Sequence, residues 1–369
     1  MIVRSDFMAC PGRWLGIALV VAFMTGCATE RGVLNYGIPS ALEINRPMWP
    51  SPEAGEVPRY MYAGQLIGEE NFHAPRQAQS QSGARGFFRW LLGLFGEDEA
   101  PVVLQRPQAG VVDEEGRILV TDISRQAVYV FDQKEGRLDI WEMAQGKTHF
   151  IAPAGIALGA EGDVYVADPE LGVVARINRK GEGQSLIGKG ELRRPVGVAF
   201  DAVTHLLYVS DTYGHDIKVF DGDGRLLRTL GQRGDKPGEF NYPTYLALAK
   251  GELYVTDTMN ARVQVLDAET GKSRLVIGEQ GLNVGNLVRP KGVAVDDNGN
   301  VYVVESYYDH LLVYNSEGEF LMGIGGTGQD VGKFYLPSGV WVDAHNRIFV
   351  ADMFNGRVVL FQFLGGDAG

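Results

Sequence analysis

The sequence has 369 residues, with Lys+Arg 34 against Asp+Glu 46 and a net charge of -12. It therefore lacks the cationic surplus that coating a nucleic acid demands, and no nucleic-acid partner is expected. Hydrophobic residues at 45% and charged residues at 22% match an ordinary globular protein and exclude a disordered chain, while 49 glycines, well above the usual share of roughly 7%, demand many tight turns.

In chain order, Arg4 and Arg13 precede or flank an apolar run from Trp14 to Phe23, followed by Met24-Thr25-Gly26-Cys27. The run is too short to span a bilayer, which takes about 20 residues, and fits the apolar region of an export signal. The four residues ending at Cys27 resemble the lipobox of a bacterial lipoprotein, with Met24 in place of the usual aliphatic. That resemblance implies removal of residues 1–26 and lipidation of Cys27. With Cys10 lost in the signal, it leaves no free thiol in the mature chain. Several acyl chains on one residue make a stable anchor. Ala28 is not the Asp that retains enterobacterial lipoproteins at the inner membrane, so the expected site is the outer membrane of a bacterial envelope, facing periplasm or surface. Residues 27–59, with Pro39, Pro47, Pro50, Pro52 and Pro58, are expected to form a semi-rigid tether.

From residue 60 a phrase recurs six times: Ile118 to Asp122, Val164 to Asp168, Leu207 to Asp211, Leu253 to Asp257, Val301 to Glu305 and Ile348 to Asp352. The acidic residues are 46, 43, 46, 48 and 47 positions apart, and each follows a proline by 14 to 16. One unit reads as four short β-runs separated by turn residues, as in Arg289 to Val295, Val301 to Glu305, His310 to Tyr314 and Phe320 to Gly325. Such a sheet cannot bury both faces alone, so repeats of this period stack radially into an all-β, six-bladed β-propeller spanning 60–369. The phrases resemble NHL repeats in the Pro-x-Gly opening, the Tyr-Val-x-Asp strand, the Asn260-Ala-Arg-Val263 loop and a closing Leu-Gly or Ile-Gly. Blade four departs at Thr244-Tyr245, blade five at Glu305, and blades one to three lack the loop Arg. The last unit stops after a third strand, Arg357 to Phe361, and Tyr60 to Gly68 repeats the phrase order of the segment that begins at Leu226. That N-terminal strand is therefore expected to close the ring and remove its seam.

An apolar insertion at 73–104 carries Phe87, Phe88, Trp90, Leu91, Leu92, Leu94 and Phe95. It fits a plug packed on the ring, a docking element for a partner, or an amphipathic helix at a membrane surface.

The six acidic positions, needed once per blade, are expected to be architectural, accepting backbone N–H bonds in tight loops. Asp221 to Gly224 and Asp296 to Asn300 lack the EF-hand spacing and read as hairpin turns. Lactonase-type propellers hold a divalent ion on carboxylates of the inner strands. Here those strands read as apolar, for instance Ile156-Ala-Leu and Val340-Trp-Val. Propellers of the peptidyl-hydroxyglycine amidating lyase type use histidine-bound zinc, but only His215 and His310 lie in the matching loops. A zinc site takes three or four ligands, so no metal, cofactor or catalytic set is assigned, and a metal-dependent hydrolase or lyase remains the alternative to a binding module.

The loop after each second strand shares a face with the lead-in to each first strand. That face gathers Arg106, Arg194, Arg262, Arg289, Lys291, His310 and Arg357 with Tyr213, Met259, Tyr307, Tyr308, Met353 and Phe354. Arg, Tyr and Met are enriched at interfaces, so this rim is the expected binding surface for an acidic protein or an anionic polysaccharide. The opposite face collects Asp113, Glu114, Glu115, Asp163, Asp221, Asp223, Asp296 and Asp297, which predicts an electrically polar ring.

Overall fold

Each blade begins as a run of β-branched and aromatic residues with alternating faces, a pattern that fits a pleated, buried sheet. The turns between runs follow from Asp or Asn with Gly. The Asp296 carboxylate accepts the N–H groups of Asn298 and Asn300, and Gly299 takes a positive φ of 87° that other residues resist. The Asp221 to Gly224 turn is built the same way, with Asp221 accepting from Asp223 and Arg225.

The computed structural model describes residues 32–73 and 101–365, all of one compact unit. Five antiparallel sheets have four strands each, and a sixth has five. Blade 1 runs from Pro107–Val112 to Arg137–Trp141, blade 2 from Ile156–Leu158 to Gly183–Ile187, and blade 3 from Pro195–Asp201 to Leu226–Leu230. Blade 4 runs from Pro243–Ala249 to Ser273–Ile277, and blade 5 from Pro290–Val295 to Phe320–Gly325. The ring closes at blade 6 as expected: Tyr60–Leu66 pairs antiparallel with Arg357–Phe363, from Leu66 opposite Val358 to Tyr60 opposite Phe363.

Two features were not expected. The stretch read as a tether is, from Gly32 on, laid along the ring. Met48–Trp49 adds a fifth strand to blade 6, and Val33–Leu34 pairs with Phe72–His73. Trp49 meets the Phe361 ring edge-on at 5.3 Å, and Tyr36 accepts a hydrogen bond from Arg347 at 2.7 Å. A small hairpin, Met143–Gln145 with Thr148–His149, also joins blades 1 and 2. Cys27 and the seven apolar residues from Phe87 to Phe95 lie outside the described residues.

Adjacent blades pack through layers of fully buried aromatics such as Tyr302, Phe349 and Phe361, each worth roughly 1.5–3 kcal/mol of burial. Near the axis the Pro-x-Gly glycines permit backbone contact. A Cβ on Gly197 would lie 2.4 Å from the Thr244 carbonyl oxygen, and one on Gly339 2.3 Å from that of Gln108.

Candidate binding rim and channel

The six acidic side chains sit at the ends of the second strands and are almost wholly buried, none above 1% exposed. Asp122 accepts the N–H groups of Gln105 and Arg106 on one oxygen and of Ser124 and Arg125 on the other. It thereby ties the lead-in of its blade to the loop after the second strand. Asp168 repeats this with Ile151, Ala152, Glu170 and Leu171. The other four hold the lead-in N–H groups of their own blades in the same way.

These ties bring the loops and lead-ins onto one face, where Thr212 N–H donates to Arg194 O, Met259 N–H to Asn241 O and Phe354 N–H to Tyr335 O. Two residues past each acidic position, blades 3 to 6 present Tyr213, Met259, Tyr307 and Phe354, with exposures of 51%, 61%, 54% and 46%. Four large apolar side chains thus stand in solvent at one repeated position. Arg194 lies over the Tyr213 ring at 5.2 Å and Arg106 over Phe354 at 5.3 Å, cation–π contacts that hold both partners in place. Tyr308 is half-buried and edge-on to Tyr307 at 4.9 Å, and Met353 is half-buried. Two aromatics missed in the sequence complete the pattern: Tyr242 meets Tyr213 at 6.0 Å and Tyr335 meets Phe354 at 5.6 Å. Tyr242 precedes its Pro as Arg194 and Arg289 do, so aligning the lead-ins would have found it.

The cations divide. Arg289 is exposed on this face. Arg262 and Arg357 instead turn inward: Arg262 Nε donates to Asp257 at 2.8 Å and Arg357 Nε to Asp352 at 2.7 Å. The Nη groups of Arg262 donate to the loop carbonyls of Asp235, Lys236 and Glu239, and those of Arg357 donate to the carbonyls of Asp330 and Lys333 and to the Gln65 side-chain oxygen of the closing strand. These two are framework residues rather than an outward cationic surface. Burial pushes the Asp352 carboxyl above its usual range, against the pull of Tyr335 N–H, Asn355 and Arg357. At Lys291, burial and then the nearby Arg289 lower the ammonium pKa. On the opposite face Asp113 pairs with Arg117 and Asp163 with Arg176, so two of the eight acidic residues expected there are neutralised locally.

Blade 3 carries a different charge at the Arg262 position. Asp216, opposite Asp211 in the ladder, binds Lys218 at 2.8 Å through one oxygen and leaves the other buried without a partner among the described residues. Burial raises its pKa, Lys218 opposes that shift, and the Asp211 charge adds to it. A raised folded pKa means that the native state holds this proton more tightly than the unfolded chain does. The group's contribution to stability is then greatest in acid and is lost as the pH rises through the folded value. Asp216→Asn carries no such cost, so thermal melts should show it gaining on the parent as the pH is raised above the ordinary carboxylate range. A pH-independent difference would contradict this account.

The inner strands enclose a channel cavity of about 290 Å³ lined by Gly110, Ile156, Val198, Leu246, Val293, Val340 and their neighbours, with no carboxylate or histidine. Tyr245, which stands where blades 2, 3, 5 and 6 have Gly and blade 1 has Ala109, reaches across it: its hydroxyl is 2.9 Å from Ser338 Oγ on blade 6 and donates to Gln108 O on blade 1 at 3.3 Å. Burial pushes this phenol up to about 12. Among the described residues no three His, Cys, Asp or Glu side chains gather in a way that could hold a metal. His215 is buried, its Nδ1 accepting from Tyr242 N–H at 3.2 Å, while His310 lies on another blade.

Residues 286–368 match a family model described as a 6-bladed beta-propeller. NHL repeat-containing protein 2 of Bos taurus is 32% identical over 158 residues, covering 34% of this chain and 22% of that protein, so the match spans less than a quarter of the relative's length. A structural genomics protein of unknown function from Bacteroides thetaiotaomicron superposes with a TM-score of 0.57 at 14% identity over 70% of each chain. A gluconolactonase from Xanthomonas campestris does so with a TM-score of 0.55 at 16% identity, over 72% of this chain and 90% of that one. At those identities the likeness to solved structures is one of fold. Sheet count, closure and similarity agree: the chain is a six-bladed β-propeller, and its repeats are similar to those of an NHL repeat-containing protein.

Proposed function

We propose that this protein is a lipid-anchored scaffold of the bacterial envelope that captures a protein partner on the rim formed by Tyr213, Met259, Tyr307 and Phe354. The observation that carries the reading is the recurrence of an exposed large apolar side chain at one position of four consecutive blades, where water contact costs free energy and the fold does not require it. Arg106 and Arg194 stack on two of these rings and Arg289 stands beside them, giving the aromatic and arginine composition of interface anchors. The anchor at Cys27 would hold this face at the outer membrane, and an anionic polysaccharide is the competing occupant.

The test uses the full-length lipidated protein. Combined Tyr213→Ala, Tyr307→Ala and Phe354→Ala should leave the thermal melt within about 1 kcal/mol of the parent, since exposed side chains contribute little. The same variant should lose the partner recovered by affinity purification from envelopes. Arg106→Glu with Arg194→Glu and Arg289→Glu should weaken the same capture, and Cys27→Ser should abolish acyl labelling. An unchanged partner profile in the triple alanine variant would discard the rim, and recovery of polysaccharide in place of protein would reassign its ligand.

A further inference from the structure

Blades 4 and 6 share a three-residue device. Asp257, Asn260 and Arg262 in one, and Asp352, Asn355 and Arg357 in the other, lock the loop that leads into the blade. The asparagine amide donates to the acidic residue and to a loop carbonyl, that of Gly234 or Gly328. The guanidinium fills the space between the acid and two or three further loop carbonyls.

Blade 5 has the same ladder register, with Glu305 opposite His310 as Asp257 is opposite Arg262 and Asp352 opposite Arg357. All three members of the device differ there: Glu305, Tyr308 and His310. Gln264, which supports the loop carbonyl of Glu239 in blade 4, is replaced by Leu312. Where the guanidinium stands in the sister blades there is a cavity of about 110 Å³, lined by Glu305, Tyr308, His310 and Leu312 and by the loop Leu282 to Asn286. That is several times the ~30 Å³ share of one water and comparable to the ~150 Å³ cavity that admits benzene.

The chemistry of the walls is specific. Glu305 is a carboxylate at 1% exposure, held by the N–H groups of Val288, Arg289 and Tyr307, and no cation pairs with it among the described residues. The His310 imidazole makes no hydrogen bond to the loop. The mouth is flanked by Leu282 and Val284, aliphatic side chains at 81% and 67% exposure. A buried carboxylate with no cation beside it among the described residues, a lining loop whose Leu282, Asn283 and Asn286 occupy the sequence positions of Asp235, Lys236 and Glu239, and aliphatic side chains at the mouth suit one kind of group. That group is a planar, multi-donor cation on an apolar stem.

We propose that this cavity on blade 5 receives the guanidinium of an arginine side chain presented by a partner protein, in the place that Arg262 and Arg357 fill in blades 4 and 6. The site adjoins Tyr307 but does not depend on the rim reading, because a small probe reports on it directly.

The probe is N-acetyl-arginine methylamide, titrated into the full-length protein while the His310 ring resonances are followed by NMR, with the lysine and norleucine analogues as comparators. The arginine compound should saturate and shift His310, the lysine compound should bind several-fold more weakly for want of the guanidinium fork, and norleucine should leave His310 unmoved. His310→Arg should fill the cavity from within and weaken the arginine probe by roughly tenfold or more. Val284→Trp, an exposed change that spares the fold, should block the mouth to a similar degree. Phe354→Ala should leave probe binding intact, which separates this site from the rim. A probe that fails to saturate, or that binds His310→Arg and Val284→Trp as tightly as the parent, would overturn the assignment.

Discussion

A chain shortened to begin at Glu69 should show no cooperative unfolding transition and should collect in the insoluble fraction. Tyr60–Leu66 is the fourth strand of blade 6, and Tyr60, Tyr62 and Leu66 are at most 2% exposed. Removing them strips the cover from Phe361 and Val359 and leaves Arg357–Phe363 as an unpaired apolar edge, a template for pairing with other chains. In repeat architectures stability is carried by contacts between neighbouring units, so opening one junction of a ring costs both the strand and the contacts of blade 6 with its neighbours. A point change should echo the deletion. Gly64 has a positive φ of 128°, and a Cβ there would fall 2.3 Å from the Tyr36 carbonyl oxygen, so Gly64→Val must displace both the closing strand and the segment that covers it. Burying such strain costs on the order of 1–3 kcal/mol from the backbone alone. Circular dichroism melts of the two variants check this. A soluble truncated protein melting cooperatively near the parent would show that the ring is held elsewhere.

The closure was legible because the N-terminal phrase repeats the order of the fourth strand of blade 3 and the residues after it, and a strand period survives in seven residues. Met48–Trp49 and Val33–Leu34 were not legible. Two-residue strands carry no period, and the prolines around them signal a spacer even where the chain lies against a surface. The face shared by Tyr213, Met259, Tyr307 and Phe354 could be read from blade alignment, since strand direction alone decides it. Whether an arginine on that face points outward could not, because the carbonyls that draw Arg262 inward belong to a loop 23 to 27 residues earlier. Tyr245 was visible as a missing glycine, but its span to Ser338 and Gln108 depends on three blades meeting at the axis. Glu305 was visible as a departure and His310 as a rim residue. That both line one cavity with Tyr308 follows only from the ladder that sets them opposite each other.

The acidic residues need not contribute equally, and the difference is measurable. Asp352→Ala should cost about 3–5 kcal/mol, the range for breaking a buried ion pair by removing one partner. The Asp352 carboxylate is fully buried and receives Tyr335 N–H, the Asn355 amide and Arg357 Nε, and its loss leaves a guanidinium only 12% exposed without its counter-charge. Arg357→Ala should cost less than Asp352→Ala if Tyr335 N–H and Asn355 continue to satisfy the carboxylate. The double variant should cost less than the sum of the two singles, since each single change strands the partner of the other. Asp122 has no such partner among the described residues: four backbone N–H groups are its hydrogen-bond donors, and Ala127 stands opposite it in the ladder. Asp122→Ala should therefore lose loop order without a coupling term to any basic residue. Urea denaturation of the single and double variants supplies the cycle. Additive costs at Asp352 and Arg357 would mean that the guanidinium is held by Gln65 and the carbonyls of Asp330 and Lys333 and not by the carboxylate, and that the acidic position in blade 6 works by the same backbone bonds as in blade 1.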